Sequence, residues 1–370
     1  MNQFNIPNLQ PEQIFLYGET QQENLKQFII SNECNSQKIK DTQSKVYFQL
    51  IQQYTINEKC YTLDIDKSLS LIVIGGFSGL IHILKFQQNQ LKMQKLVKAH
   101  RQVVCIVVIK NSNQFISSGD QIIKIWSLQG IQLRLLQSLC GHLRPVRCLL
   151  ISHNEDLIVS GGNDQKIKFW IRNANACKFD QQLLAHSNFI CGISLNELQN
   201  QLISTAWDEQ IIKISQQQPC KTWVVIQTIE INQWGQRICF ISEQMFSFQP
   251  FNGQTMHLYQ FQPKNNIYAL SKTIDVIQSK EGCTNLFPQQ FIKQQSILIN
   301  KNGECVNIIL IKNNDECIIQ QQIQFGHYCI NGNISHDGQY LITWDLSSSQ
   351  IQIRQNLNNL QNDQFNSIFN

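Results

Sequence analysis

Residues 160–170 read SGGNDQKIKFW, and this stretch decides the fold class. Two glycines and an Asn-Asp pair form a strong turn signal. The alternating run KIKF that follows is typical of a half-buried strand, and it ends at Trp170. A closely similar stretch, QFISSGDQIIKIW, ends 44 residues earlier at Trp126. The recurrence of a turn, an acid and a late tryptophan indicates an internal repeat.

The repeat has the same order of landmarks in each unit. A dipeptide that ends in His opens each unit, at Ala99-His100, Gly141-His142 and Ala185-His186. About 20 residues later comes a turn that contains an acid, in the sequences SGD, GND and AWD. Apolar alternation on both sides of each turn predicts four short strands in each unit of 42 to 44 residues.

Four strands in a period of this length are typical of a propeller blade. With its His dipeptide and late Trp, the pattern resembles the WD40-repeat family. The resemblance implies a hydrogen-bonded structural tetrad in each blade, which is His100, Ser117, Asp120 and Trp126 in one unit, His142, Ser160, Asp164 and Trp170 in the next, and His186, Ser204 and Asp208 in the third. Ile214 replaces the Trp of the third unit, so we expect a weaker network there. A hydrolase triad is the alternative interpretation, but repetition at blade spacing argues against it.

Weaker units on both sides of these three predict an all-β, seven-bladed propeller of four-stranded antiparallel blades. The sixth unit begins with CTNLF, and the last unit, at 328–355, lacks a fourth strand. A spare strand, KVYFQLI at 45–51, stands ahead of the first unit. We therefore expect residues 45–53 to close the ring, because closure removes the exposed edge of an open sheet.

The chain has three predicted parts. Residues 43–357 form the propeller, and residues 1–42 form a polar segment that is disordered or contains a short helix. Residues 358–370 form a polar tail.

Composition limits the function classes. The net charge of +4 over 370 residues does not favour a nucleic-acid partner. The apolar runs are of strand length, which argues against membrane insertion. The 13 cysteines are odd in number and irregularly spaced, so we expect neither a disulfide framework nor a metal site. With no secretory signal pattern, these features predict an intracellular, cytoplasmic protein without a cofactor.

One face of the predicted propeller carries candidate binding residues. The loops before each first strand and the turns between each second and third strand open on the same face. Aromatic and Arg side chains dominate binding hot spots, and five of them fall in these loops: Phe77, Arg101, Arg144, Trp207 and Trp344. The alternative is that these side chains pack into neighbouring blades or are singly exposed.

The resemblance implies a non-enzymatic scaffold or adaptor that binds other proteins, as a single propeller within a larger intracellular complex. A propeller enzyme would need a cluster of titratable groups unique to one blade, and the sequence shows no such cluster. Two further alternatives remain open at this point. One is a reader of a peptide or small ligand at the mouth of the central channel, which predicts an aromatic or acidic cage. The other is a substrate receptor of a ubiquitin ligase.

Overall fold

The computed structural model divides the chain into two units, Met1–Lys45 and Val46–Asn370. It describes residues 46–67, 69–88, 90–173, 176–207, 209–276, 287–312 and 315–357. The polar segment predicted at 1–42 and the polar tail predicted at 358–370 lie outside the described residues. Within the described ranges, no helix has the length and the hydropathy that a membrane span needs.

The described residues form seven antiparallel sheets of four strands each. The first four blades contain β2 (Cys60–Ile65), β3 (Leu71–Gly76), β4 (Leu80–Gln87) and β5 (Gln90–Lys98); β6 (Cys105–Ile109), β7 (Gln114–Ser118), β8 (Ile122–Gln129) and β9 (Gln132–Cys140); β10 (Val146–Ile151), β11 (Leu157–Gly162), β12 (Lys166–Arg172) and β13 (Cys177–Leu184); and β14 (Ile190–Leu195), β15 (Gln201–Ala206), β16 (Ile211–Gln217) and β17 (Trp223–Glu230).

The remaining blades have the same strand order. They contain β18 (Arg237–Ser242), β19 (Met245–Gln249), β20 (Thr255–Gln262) and β21 (Ile267–Asp275); β22 (Gln290–Ile292), β23 (Ile297–Asn302), β24 (Cys305–Ile311) and β25 (Cys317–Gln324); and β26 (Ile330–Ile334), β27 (Tyr340–Asp345), β28 (Gln350–Asn356) and β1 (Phe48–Thr55). The predicted seven-bladed, four-stranded propeller is confirmed.

The N-terminal strand closes the ring. β1 pairs with β28 in antiparallel register, with Gln52 opposite Ile353, and it forms the outer strand of blade 7. The predicted closure is therefore confirmed, although the strand runs from Phe48 to Thr55 and so extends beyond the predicted 45–51.

Blade 6 departs from its prediction. Its first strand is the three-residue β22, Gln290–Ile292, and not CTNLF. Phe287 is outside any strand, and residues 283–286 lie outside the described residues. Pro288 follows directly, and a proline has no N–H to donate to a β-ladder, so the strand begins only after it.

Seven hydrophobic clusters hold the ring together, one between each pair of neighbouring blades. Between blades 2 and 3, for example, Ile116 and Ile125 pack with Ile158 and Trp170. All four side chains are buried. Each such side chain contributes about 2 kcal/mol of transfer free energy, so the blades are stabilised mainly by their neighbours.

Side-chain amides also link the outer strands of neighbouring blades. Gln181 of β13 accepts a hydrogen bond from the backbone N–H of Trp223 and donates one to its carbonyl, both at 2.8 Å. The same two-bond pairing joins Gln137 to Cys177, Gln227 to Tyr268, and Gln321 to Phe48. A glutamine side chain thus acts as one extra strand residue at four of the blade junctions.

We call the two faces of the ring upper and lower. The upper face carries the loops before each first strand and the turns between second and third strands. The lower face carries the other two sets of turns. This assignment follows from the antiparallel strand order of every blade.

Candidate partner-binding face

Blade 3 contains the most complete polar network beneath the upper face. His142 Nδ1 lies 2.9 Å from Asp164 Oδ1, and His142 Nε2 lies 2.8 Å from Ser160 Oγ. The indole N–H of Trp170 donates to the same Ser160 oxygen at 2.9 Å. The backbone N–H of Leu143 donates to Asp164 at 3.0 Å, so the carboxylate also fixes the loop before β10.

Local glycines make room for this network. A Cβ atom on Gly162 would lie 2.7 Å from both Asp164 Oδ1 and His142 Nδ1, and one on Gly161 would lie 2.5 Å from Ile190 Cγ2 of the next blade. These approaches are closer than a side-chain carbon tolerates. The two glycines of SGGND therefore allow a polar cluster and a neighbouring blade to come close to β11.

Burial fixes the protonation of this cluster. Burial lowers the pKa of His142, and the opposing hydrogen bond to Asp164 is the smaller effect. The hydrogen bonds from Leu143 and His142 lower the pKa of Asp164. A neutral imidazole that donates from Nδ1 to the carboxylate accepts at Nε2, so the Ser160 hydroxyl donates to His142 and accepts from Trp170.

Blade 2 holds a looser version of the network. His100 Nε2 and Trp126 Nε1 each lie 2.8 Å from Ser117 Oγ. His100 Nδ1 is 3.5 Å from Asp120, which is beyond a good hydrogen bond. Asp120 instead accepts from the backbone N–H of Arg101 at 3.1 Å.

In blade 4 a glutamate serves as the acid. His186 Nε2 lies 2.9 Å from Ser204 Oγ, and His186 Nδ1 lies 2.5 Å from Glu209 Oε2. Asp208, the predicted acid of this unit, lies outside the described residues. Ile214, at the tryptophan position, is fully buried and has no donor for Ser204. Glu209 directly follows the predicted acid, Asp208. The only feature of the sequence that favours Glu209 as the acid is the longer side chain of a glutamate.

Blade 1 has an acid-histidine pair that the sequence did not indicate. Glu58 lies in the loop before β2, and its carboxylate accepts from the Ser78 backbone N–H at 2.8 Å and contacts His82 Nε2 at 2.6 Å. His82 is in β4, so in this blade the acid comes from the loop and the His from the third strand, whereas blades 2 to 4 have the His in that loop and the acid in the turn before the third strand. This arrangement hides the unit from a search for a His dipeptide.

The His-Ser-acid sets have the contacts of a hydrolase triad but not its accessibility. Ser117, Ser160 and Ser204 have no exposed surface. In blades 2 and 3 the serine oxygen already accepts an indole N–H. A nucleophile needs open space for the reacting carbonyl, so these three sets are not hydrolytic sites.

Four of the five predicted binding residues reach the surface of the upper face. Phe77 is 49% exposed and packs edge-to-face on Tyr61, with ring centroids 5.6 Å apart. Arg101 and Arg144 are exposed in the loops before β6 and β10. Trp207 is 38% exposed and follows β15 directly.

The prediction that Trp344 lies on the partner-binding surface is wrong. It has no exposed surface and packs between blades 7 and 1 with Cys60 and Ile72. Phe77 and Trp207 each follow the last residue of a second strand, whereas Trp344 is the fifth residue of the six-residue β27. It therefore points into the core and cannot contact a partner.

Two further aromatic residues extend the surface around Trp207. Trp234, in the loop before β18, lies 4.5 Å from Trp207, and Phe251 stacks on Trp234 at 4.3 Å and 17°. We call Trp207, Trp234 and Phe251 the aromatic ladder. The sequence analysis missed its last two members. Their positions in the repeat could have identified them. Trp234 stands where the other units have loop residues after the His, and Phe251 stands in a turn equivalent to that of Phe77.

A central channel of about 630 Å³ runs through the ring, lined by the first strands of all seven blades. Asp64 joins three blades within it, accepting from Val108 N at 2.7 Å and from Asn333 Nδ2 at 2.5 Å. Burial raises the pKa of Asp64 to about 6. At the upper mouth the described lining contains Arg147 and Arg237, and not an acidic or aromatic cage.

Within the described ranges, no group of three or more His, Cys, Asp or Glu side chains is arranged to hold a metal ion. Burial raises the pKa of the channel thiols Cys105 and Cys191 to about 12. Such thiols are weak ligands and nucleophiles at neutral pH.

Comparison with known proteins agrees with this geometry. The family model for the WD domain, G-beta repeat, matches residues 91–127 and 133–170. These segments contain the Ser117–Trp126 and Ser160–Trp170 contacts described above. The chain contains WD40 repeats.

A segment of the chain resembles part of a known protein. Striatin-3 of Bos taurus is 27% identical over 110 residues, which is 25% of this chain and 14% of striatin-3. Striatin-3 of Rattus norvegicus and of Mus musculus are each 27% identical over 113 residues. The matched segment thus spans about one seventh of the length of these relatives.

The whole propeller resembles a solved structure. A chain in the crystal structure of the mitotic checkpoint complex superposes with a TM-score of 0.67 and covers 86% of this chain, with 94% of its own length included. The sequence identity is 14%, so the likeness is one of fold.

Proposed function

We propose that this WD40 propeller is a non-enzymatic scaffold that binds other proteins through its upper face, as one subunit of an intracellular complex. The observation that carries the proposal is the concentration of exposed aromatic and Arg side chains on that face. Phe77, Trp207, Arg101 and Arg144 are all exposed there, and such side chains dominate binding hot spots.

The networks beneath the face support a rigid platform. In blades 2, 3 and 4 an acid bonds to the loop that carries an exposed side chain, as Asp164 bonds to Leu143 N directly before Arg144. A loop that is already ordered loses little conformational entropy when a partner binds.

The test compares partners captured by the full chain and by two triple variants. R101E/R144E/W207A changes the upper face. The matched control, K67E/K264E/L198A, changes three exposed residues in turns of the lower face. We expect quantitative mass spectrometry of affinity-purified material to show at least a tenfold loss of specific partners for the first variant only.

Thermal unfolding of both variants should remain within a few degrees of wild type, because all six side chains are exposed or half-exposed. Capture that is equal for both variants, or lost only with the lower-face control, would refute the proposal.

A further inference from the structure

The aromatic ladder presents an apolar surface that is not buried in the cores of the blades. Trp207 is 38% exposed, and Trp234 and Phe251 are each partly exposed. Beside the ladder, Phe189 is 40% exposed, and its carbonyl accepts from the Trp207 backbone N–H at 2.8 Å. The rings lie on the loops of blades 4 and 5, so this sector of the upper face is a rigid apolar ridge.

A cationic sector lies beside this ridge on blades 1 to 3. Lys59, Arg101, Arg144 and Arg147 are exposed there, and none forms an ion pair with a described residue. Three of the four nearby carboxylates are largely buried and accept hydrogen bonds from buried histidines and loop N–H groups, whereas the carboxylate of Asp120 is 32% exposed. These carboxylates are those of Glu58, Asp120, Asp164 and Glu209.

The balance of exposed groups gives the surface its sign. Four exposed cations stand against the three carboxylates of these blades, whose oxygens already accept hydrogen bonds from protein donors. Arg147 is exposed although its Nε donates to Asn163 Oδ1 at 2.9 Å, and its other guanidinium N–H groups face a ligand. The upper face of blades 1 to 3 therefore presents positive charge, although the whole chain has a net charge of only +4.

The two sectors meet at the mouth of the channel. The thiol of Cys148, directly after Arg147 of blade 3, lies 4.0 Å from the carbonyl of Ile190, which directly precedes Cys191 of blade 4. Cys191 Sγ in turn contacts the carbonyl of Gly235 at 3.8 Å, directly after Trp234 of the ladder. An extended chain that contacts Arg147 therefore reaches the ladder within a few residues, at 3.3 Å per residue.

We infer that the upper face between blades 3 and 5 binds an acidic peptide whose carboxylates contact Arg147 and Arg144 and whose aromatic anchor packs on the aromatic ladder. This inference rests on the proposed function and specifies its partner chemistry. Carboxylates form bidentate pairs with arginine, and an aromatic side chain packs on exposed rings by offset or edge-to-face contact.

A single-stranded nucleic acid also combines charge with stacking, but the geometry favours a peptide. Successive bases need separate open ring faces, whereas the rings of the ladder pack against one another, Trp207 on Trp234 at 4.5 Å with a tilt of 40° and Phe251 on Trp234 at 4.3 Å in a stack. The ladder exposes ring edges and one outer ring face, and these can contact a single aromatic side chain of a peptide.

The experiment is selection of a phage-displayed library of random 12-residue peptides on the immobilised full chain. We expect enriched peptides to carry two or more Asp or Glu residues within about five positions of Trp, Phe or Tyr. The best enriched peptide is then synthesised with a fluorescent label, and its binding is measured by anisotropy.

Affinity for that peptide should fall at least tenfold in Arg147→Glu and in Trp207→Ala, and should be unchanged in the lower-face controls Lys67→Glu and Leu198→Ala. Raising the salt concentration should weaken binding to wild type more than to Arg147→Glu. Thermal unfolding checks that each variant is folded.

Three results would overturn the inference: enrichment of basic peptides, no enrichment above a blank surface, or binding that both upper-face variants retain. Tight binding of labelled oligouridine that the same variants abolish would replace the peptide with a nucleic acid. If the selection fails while R101E/R144E/W207A still loses its cellular partners, the peptide chemistry is wrong and the proposed function stands.

Discussion

The side-chain amide of Gln181 forms two hydrogen bonds, both of 2.8 Å, with the backbone of Trp223 in the next blade. Each net hydrogen bond contributes about 0.5–1.5 kcal/mol, and an orphaned backbone group costs more. We expect Gln181→Glu to lower the free energy of unfolding by about 2 kcal/mol, because a carboxylate cannot donate to the Trp223 carbonyl. Urea denaturation measures the change.

Lys95 supplies the control for this prediction. It occupies the register position of blade 1 that Gln137 and Gln181 occupy in blades 2 and 3, and no hydrogen bond to the next blade is seen for its side chain among the described residues. Lys95→Ala should change the free energy of unfolding by less than about 0.5 kcal/mol. Equal effects of the two substitutions would show that the glutamine pairing does not stabilise the junction.

Trp170 and Trp344 form a matched pair with different hydrogen bonding. Both are buried, but Trp170 Nε1 donates to Ser160 whereas Trp344 Nε1 has no partner among the described residues. Replacement by Phe removes similar volume at each site. We expect Trp170→Phe to cost about 1–2 kcal/mol more than Trp344→Phe, since only the first loses a bond.

Chemical denaturation of the two variants measures this difference, with the slope of the transition checked for constancy. A larger loss in Trp344→Phe would mean that its indole N–H has a role that its burial does not reveal.

The buried histidines make stability depend on pH. Burial lowers the pKa of His100 to about 4, whereas an unfolded chain has a value of about 6.5. Between these values the unfolded chain binds a proton that the folded chain excludes. The contribution of His100 to stability is therefore complete above pH 6.5 and falls as pH falls toward 4.

Other groups modify this profile. Burial also lowers the pKa of His142 and His186, and hydrogen bonds lower that of Asp164, so all three act in the same direction as His100. Asp64 acts in the opposite direction, because burial raises its pKa to about 6 and its ionisation destabilises the fold. Thermal unfolding from pH 7.5 to 4.5 measures the sum.

His100→Asn should flatten the pH profile by about 1–3 kcal/mol between pH 6.5 and 4.5. His153→Asn is the control, because His153 is exposed in a lower-face turn. An identical slope in wild type and His100→Asn would contradict the assignment of a neutral, buried imidazole.

The sequence predicted the ring because its evidence is periodic. The His dipeptides, the turn acids and the alternating strands recur at nearly fixed spacing, and a missing last strand with a spare first strand implies closure. The first strand of blade 6 differs from the expectation because it begins only after Pro288, which has no N–H for a β-ladder. Blade 1 lost its signal because its acid, Glu58, stands in the loop where the other units have a histidine, and its histidine, His82, stands in the third strand.

The site was harder to predict because a residue within a strand can pack into the core, whereas the first residue after the strand lies in a turn. Trp344 stands two residues before the position equivalent to Phe77 and Trp207, so it is still within β27 and is buried there. The aromatic ladder was missed because Trp234 and Phe251 are distant in sequence from Trp207, and only the ring brings their loops together. The glutamine pairings were hidden in a chain rich in glutamine.

The most direct test of the central claim is to locate the bound partner on the ring. A complex purified with the full chain is treated with a short amine-reactive crosslinker and analysed by mass spectrometry. Lys59 and Lys166 lie on the upper face, and Lys67, Lys221 and Lys264 lie in turns of the lower face. The account predicts that crosslinks to the partner come from Lys59 and Lys166. Crosslinks that come mainly from Lys67, Lys221 and Lys264 would contradict it.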